Sequence, residues 1–198
     1  MSSKSMETIQ QELQNKIRDL VLEFGAGKIS NEQFNIIYQR YHSQMQMVMG
    51  VIDGTDDRLA SNDISTIAIR SATTGKATGM GIYHHHSGTM VETLGNFDLA
   101  PSVMSPVLND FSDQLESGHH PQPITKKLDD GNWVIFMSKQ YTTAVVQFRN
   151  EPAPRQVREM ERLLSDFEAA NEKMLRKMSV DASKLAKPFI GFVQKKLK

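Results

Sequence analysis

The sequence predicts an α+β fold in which a central antiparallel sheet of five to six strands is flanked by helices and preceded by an N-terminal helical hairpin. Apolar residues recur at helical spacing near the N-terminus, three short β-branched runs separated by turn residues lie between 124 and 148, and a long amphipathic stretch follows them. We expect residues 1–58 to form the helical hairpin, 59–180 the α+β domain and 181–198 a basic tail.

Size and composition define the broad class of protein. With 198 residues, of which 39% are hydrophobic and 23% charged, the chain can bury a core without cross-links. Its 23 basic and 23 acidic residues balance, so we expect no nucleic-acid partner. The lack of cysteine excludes disulfides and thiolate metal sites. The N-terminus is polar and no apolar run reaches the roughly 18 residues of a membrane span, so we expect a soluble, cytoplasmic protein.

Two apolar stripes predict the N-terminal hairpin. The first covers residues 6–24 and stops at Gly25, a residue that commonly ends helices. The second begins at residue 31, directly after Ser30, which forms a capping-box pattern with Gln33. We expect two helices that pack against each other.

The rest of the chain alternates between strand and helix patterns. Isoleucines within 64–70 suggest an extra strand, and Pro near the start of 101–115 suits the first turn of a helix. The Asp-Asp-Gly-Asn sequence at 129–132 predicts a hairpin turn. The predicted order is strands at 64–70, 79–84 and 90–94, a helix at 101–115, strands at 124–128, 133–137 and 142–148, and a helix from 154 to about 178.

This order of elements resembles the Roadblock/dynein light chain family, which is related to profilin-like and longin-like domains. The residues that carry the resemblance are GIYHHHSGTMVETLG at 81–95, DGNWVIFM at 130–137 and TAVVQF at 143–148. The first segment precedes the helix at 101–115, and the other two lie in the three-strand meander between 124 and 148. The likeness covers about 62–178. The N-terminal helices, the strand at 64–70 and the basic tail are not part of the minimal family pattern.

The resemblance implies binding rather than chemistry. Members of that family act mainly as homodimeric or heterodimeric scaffolds, often beside Ras-like small GTPases, and bacterial relatives stimulate GTP hydrolysis at the GTPase's own site. We therefore expect a non-catalytic homodimeric adaptor or regulator without a cofactor. Its expected partner is a cytoplasmic protein such as a Ras-like small GTPase.

Three consecutive histidines at 84–86 suggest an alternative function as a small-ligand or metal sensor. Alternate positions of a strand share a face, so His84 and His86 could chelate a metal, with His119 or His120 completing the site. No acidic residue is adjacent to orient the imidazoles. A solvated hairpin end and a pH-sensitive interface are the other interpretations of this run.

Two further groups of residues invite a catalytic interpretation. Ser87 beside His86 suggests a hydrolase nucleophile, but the strand-to-helix elbow that exposes such a serine is missing from the pattern. Asp129 and Asp130 suggest an acid–base pair, although the following glycine makes a turn the favoured interpretation. We predict no catalytic residues.

Glycines and terminal features complete the predictions. Gly79 and Gly81 lack the Gly-Lys-Ser/Thr completion of a phosphate loop, so we expect them to make room for a neighbouring backbone or helix. Methionines at 45, 47 and 49 suggest either core filling or an adaptable partner surface. The lysine-rich tail suggests a solubilising end, a weak peripheral contact with anionic membranes or an amphipathic segment that lies in a partner's groove.

Overall fold

The computed structural model describes residues 3–52 and 66–189, with side chains for 7–49 and 67–189. The chain divides into two compact units. The first includes residues up to Thr74 together with Ala153–Arg155, and the second includes Gly75–Pro152 and the chain from Gln156 onward. The elements in order are α1 (Ser3–Gly25), α2 (Asn31–Ile52), α3 (Thr66–Thr73), β1 (Ala77–His84), β2 (Met90–Gly95), α4 (Pro101–Glu116), β3 (Ile124–Lys127), β4 (Trp133–Ser138), β5 (Thr142–Phe148), α5 (Pro154–Leu175) and a short 3-10 helix (Ala182–Lys184).

The first unit is a helical hairpin with a third helix. Leu20 of α1 and Ile37 of α2 are completely buried at its centre. The cap predicted at Ser30 is present, because its Oγ accepts the backbone N–H of Gln33 at 3.2 Å. The Gln33 side chain does not return to Ser30 as a capping box would require; its Nε2 donates to the carbonyl of Arg70 at 3.1 Å and so joins α2 to α3.

The prediction of a strand at 64–70 is wrong over residues 66–70, the part of this range that the structure describes. Residues 66–73 form α3, while 64 and 65 lie outside the described residues. Tertiary contacts outweigh the β preference of the isoleucines. Ile69 packs on the core of the first unit, and the guanidinium of Arg70 forms an ion pair with Glu23 at 2.6 Å.

The second unit contains a five-stranded antiparallel sheet with the strand order β2-β1-β5-β4-β3. This agrees with the α+β class and with the lower strand number expected from the sequence. The β1–β2 hairpin and the three-stranded β3–β4–β5 meander meet where β1 pairs with β5, for example Ile82 opposite Ala144. This pairing brings residues distant in sequence to the same end of the sheet.

Apolar residues cover both faces of the sheet. Alternation along β4 directs Val134 and Phe136 to the face that packs with Phe111 of α4. Ile135 and Met137 point to the opposite face, where Leu164, Phe167 and other residues of α5 complete the larger core. One helix therefore lies on each side of the sheet.

The predicted domain boundaries differ from the two units at both ends. Helix α3 belongs with the N-terminal helices, although the α+β domain was expected to begin at 59. The expected basic tail starts within the second unit, because Leu185 and Phe189 are only 6% and 1% exposed and join its core. The remaining predicted tail, 190–198, lies outside the described residues.

The turn between β3 and β4 confirms the hairpin predicted at 129–132. Gly131 has a φ of 84°, and the carboxylate of Asp130 accepts the backbone N–H of Asn132 at 2.9 Å and its side-chain amide at 2.7 Å. These hydrogen bonds lower the pKa of Asp130. The carboxylate is thus used to hold the turn, as the glycine in the sequence indicated.

Candidate functional site

His84, the last residue of β1, is completely buried, and both of its ring nitrogens have partners. Its Nε2 lies 2.8 Å from the carbonyl oxygen of Leu175, and its Nδ1 lies 2.9 Å from the hydroxyl of Ser87. A carbonyl only accepts hydrogen bonds, so Nε2 carries a proton and donates it to Leu175. Nδ1 shares a hydrogen bond with the Ser87 hydroxyl. His84 therefore connects the β1–β2 turn to the end of α5.

His85 occupies a second polar site at the β4–β5 turn. Its Nδ1 lies 3.3 Å from the carbonyl oxygen of Gln140, and its Nε2 lies 2.9 Å from the hydroxyl of Thr143. Burial, which disfavours the charged ring, lowers the pKa of His85 to about 4. The ring is consequently neutral at physiological pH and fixed between two strands.

The metal site predicted from His84, His86 and His119 is not assembled by these contacts. The rings of His84 and His86 meet edge-on at 5.8 Å between centroids, but His86 and His119 are exposed whereas His84 is buried. Across the described ranges, no three His, Cys, Asp or Glu side chains are grouped so that they could hold a metal ion. The prediction assumed a continuing strand, whereas β1 ends at His84.

Ser87 is paired with His84 rather than with His86, the base suggested by the sequence. Its oxygen also lies 2.7 Å from the hydroxyl of Thr89. A catalytic base must pass the serine proton to the leaving group, but His84 is 0% exposed and has no open side toward a substrate. The Ser87–His84 pair thus serves to close the turn.

Glu168 of α5 is a buried carboxylate that sequence reasoning missed. Its Oε1 accepts the backbone N–H groups of Tyr141 at 2.9 Å and Thr142 at 2.7 Å, and also the Thr142 hydroxyl at 2.7 Å. Its Oε2 accepts the N–H of Gln140 at 3.1 Å. The signal in the sequence was a charged residue four positions after Leu164 on the apolar stripe of α5.

A groove of about 440 Å³ lies between the β4–β5 turn and α5. Its walls include Lys139, which forms an ion pair with Glu161 at 3.4 Å, and Tyr141, whose ring lies beneath the Arg176 guanidinium at 5.9 Å. His120, the alternative third metal ligand, also lines the groove. The arrangement offers a polar recess for a small molecule.

The first unit carries an exposed apolar surface, here called the aromatic face, made of Val21, Phe24, Phe34 and Tyr38. The ring of Phe24 stacks on Phe34 at 4.6 Å, and Phe34 stacks on Tyr38 at 5.5 Å. Val21 is 48% exposed and lies one turn before Phe24 on α1. This face combines large apolar area with a phenolic hydroxyl, a composition typical of protein interfaces.

The methionines predicted either as core or as partner surface divide between the two roles. Met45 is 8% exposed and belongs to the core of the first unit. Met47 and Met49 are 51% and 44% exposed. The sequence spacing did not distinguish them, because only the packing of α2 decides which side is covered.

No protein-family model matches the chain, and no curated protein and no solved structure is significantly similar to it. None of the helices in the described part of the chain combines the length and apolar composition needed to cross a lipid bilayer.

Proposed function

We propose that the protein is a non-catalytic adaptor that forms a homodimer and binds a cytoplasmic protein partner. The observation that carries this proposal is the concentration of exposed apolar side chains on the first unit. Of ten large hydrophobic residues exposed among those described, two lie on the second unit, Met90 and Met178, and eight lie on the first: Val21, Leu22, Phe24, Ile36, Tyr38, Met47, Met49 and Ile67.

The aromatic face favours a binding surface, because isolated exposed apolar residues are ordinary but contiguous ones, such as Phe24, Phe34 and Tyr38, are costly in water. The aromatic face supplies rigid side chains that gain area with little loss of conformational entropy. Met47 and Met49 add flexible apolar contacts that adapt to a partner. The Roadblock resemblance implies a Ras-like small GTPase as the partner. The order of hairpin, helix, meander and terminal helix, on which that resemblance rests, supports this choice of partner.

Self-association is tested by sedimentation at micromolar concentration. We expect a dimer for the wild type and also for the double variant Val21→Lys with Tyr38→Lys, because the two added charges lie on the aromatic face, which is proposed to bind the partner, and not on the strand and helix segments of 62–178. The matched control is Gln11→Lys with Gln39→Lys, which adds the same charges at exposed positions of α1 and α2 away from the core. A monomeric wild type would remove the dimeric part of the proposal.

Partner binding is tested by affinity capture from the source-cell extract with and without a GTP analogue. The proposal expects a small GTPase whose recovery depends on the bound nucleotide and is lost with the double lysine variant. Equal recovery of the partner with the wild type and with the double variant would show that the partner does not bind through the aromatic face.

A small-ligand sensor is the second candidate, and the groove beside Tyr141 is the observation that favours it. Thermal-shift measurements with a metabolite panel should then show saturable stabilisation that is reduced by Tyr141→Phe or Glu161→Gln.

A further inference from the structure

The segment Asp181–Phe189, here called the strap, crosses the α5 side of the sheet after the final helix. It makes one 3-10 turn at Ala182–Lys184 and then continues without pairing to a strand. Two of its side chains are anchors, since Leu185 and Phe189 are 6% and 1% exposed. The ring of Phe189 packs against Phe167 of α5 with 5.9 Å between centroids.

Asn171 of α5 holds the strap backbone. Its Oδ1 accepts the N–H of Ala186 at 2.7 Å, and its Nδ2 donates to the carbonyl of the same residue at 2.8 Å. Within the described residues, this is the one place where the backbone of 185–189 hydrogen-bonds to the chain outside the strap. The buried side-chain amide of Asn171 pairs with both the N–H and the carbonyl of one strap residue. Such an amide can bind the backbone of an extended peptide whatever side chain that residue carries.

Lys187 supplies a charged anchor between the two apolar ones. Its Nζ lies 2.6 Å from Oε2 of Glu92 on β2, whose side chain is only 8% exposed. A carboxylate at this depth requires a cation, because a charge left alone there loses its hydration without compensation. The surface beneath the strap, here called the strap groove, therefore selects for a basic residue at the position of Lys187.

We infer that the strap occupies a peptide-binding groove of its own chain, and that a partner protein binds there with a segment of the same chemistry. The matching segment has an aliphatic residue, a lysine two positions later and an aromatic residue two positions after that, as in Leu185, Lys187 and Phe189. The strap is recognised by side chains rather than by strand pairing, so it is replaceable by another segment without breaking the sheet. The strap belongs to the second unit and the aromatic face to the first, so the test of this inference does not involve α1 or α2.

The test uses a fluorescein-labelled peptide with the sequence of residues 181–189 and the full-length chain carrying Leu185→Ser and Phe189→Ser. These changes weaken the strap and leave the groove residues intact. The strap of the wild type competes at a high effective concentration, so we expect the variant to bind the peptide at least about tenfold more tightly in fluorescence anisotropy. A folded variant with no saturable binding would overturn the inference.

Specificity is tested by exchanging the charges. Adding Glu92→Lys to the strap variant should weaken binding of the original peptide about tenfold or more and restore binding to a peptide with glutamate at the Lys187 position. A peptide with alanine at the Phe189 position serves as the second control and should bind at least about tenfold more weakly. Equal binding of all three peptides would indicate non-specific adhesion and reject the groove.

Native-state hydrogen exchange on the wild type covers the case in which the strap variant does not fold. The amide of Ala186, bonded to Asn171, should exchange through a local opening that leaves the amides of β5 protected. Exchange of Ala186 only together with β5, at the rate of global unfolding, would mean that the strap never leaves the groove and would reject the inference.

Discussion

The Nε2 of His84 lies 2.8 Å from the carbonyl oxygen of Leu175, which is the last residue of α5. Helix C-termini leave carbonyls without intrahelical partners, and this imidazole N–H satisfies one of them inside the core. The two residues are 91 positions apart, so the bond links the first strand to the last long helix. Loss of this bond is expected to be costly because both groups are buried.

Replacing His84 with alanine should lower the free energy of unfolding by about 3 kcal/mol, since it leaves a cavity and an unsatisfied carbonyl. Urea denaturation followed by circular dichroism measures the change. His86→Ala is the matched control in the same turn, and its exposed ring should change the stability by less than about 0.5 kcal/mol. Equal effects of the two variants would contradict the role assigned to His84.

Glu168→Gln should destabilise the protein by about 2 kcal/mol, because one of the two oxygens that accept backbone N–H groups becomes an amide donor. The comparison variant is Asp166→Asn, which removes a charge at an exposed position two residues earlier on α5. Its stability should stay within about 0.5 kcal/mol of the wild type. Hydrogen exchange of the Tyr141 amide should be accelerated in Glu168→Gln alone.

Acidification should reveal the neutral state of His85. Its pKa is about 4 in the folded protein and 6.5 in the unfolded chain, so the unfolded state binds more protons between these values. The free energy of unfolding should therefore fall as the pH decreases from 6.5 to 4, by roughly 2 to 3 kcal/mol in total. His85→Gln should show a shallower decline, and identical pH profiles would contradict the assignment.

Gly79→Ala should destabilise the sheet by about 2 kcal/mol or more, because a Cβ at this position would overlap the backbone of Asn96 and approach Phe97 N to 2.6 Å. This close approach confirms that Gly79 makes room for a neighbouring backbone. Gly25→Ala is the control, since nothing lies within 4 Å of its Cβ position at the end of α1. Thermal melting should show a lower midpoint for Gly79→Ala and an unchanged or slightly higher one for Gly25→Ala.

Most helices and strands could be predicted from local patterns, whereas the candidate sites could not. The turn at 129–132 was predictable because its glycine and aspartates act within four residues. His84 was expected in a solvated hairpin or a metal site, and neither expectation included burial against Leu175. The contacts that bury it come from α5, and no local spacing encodes them.

The sequence by itself determined the α+β class, the two N-terminal helices and the strands from β1 to β5, because hydrophobic period and turn residues act over short distances. Only the tertiary structure decided that residues 66–73 are helical, that Glu168 binds the β4–β5 turn and that the strap is anchored by Asn171. These features depend on which distant groups meet after folding. Burial and hydrogen bonding between such groups outweigh local preference, since a buried polar group without a partner costs more than a residue's intrinsic propensity.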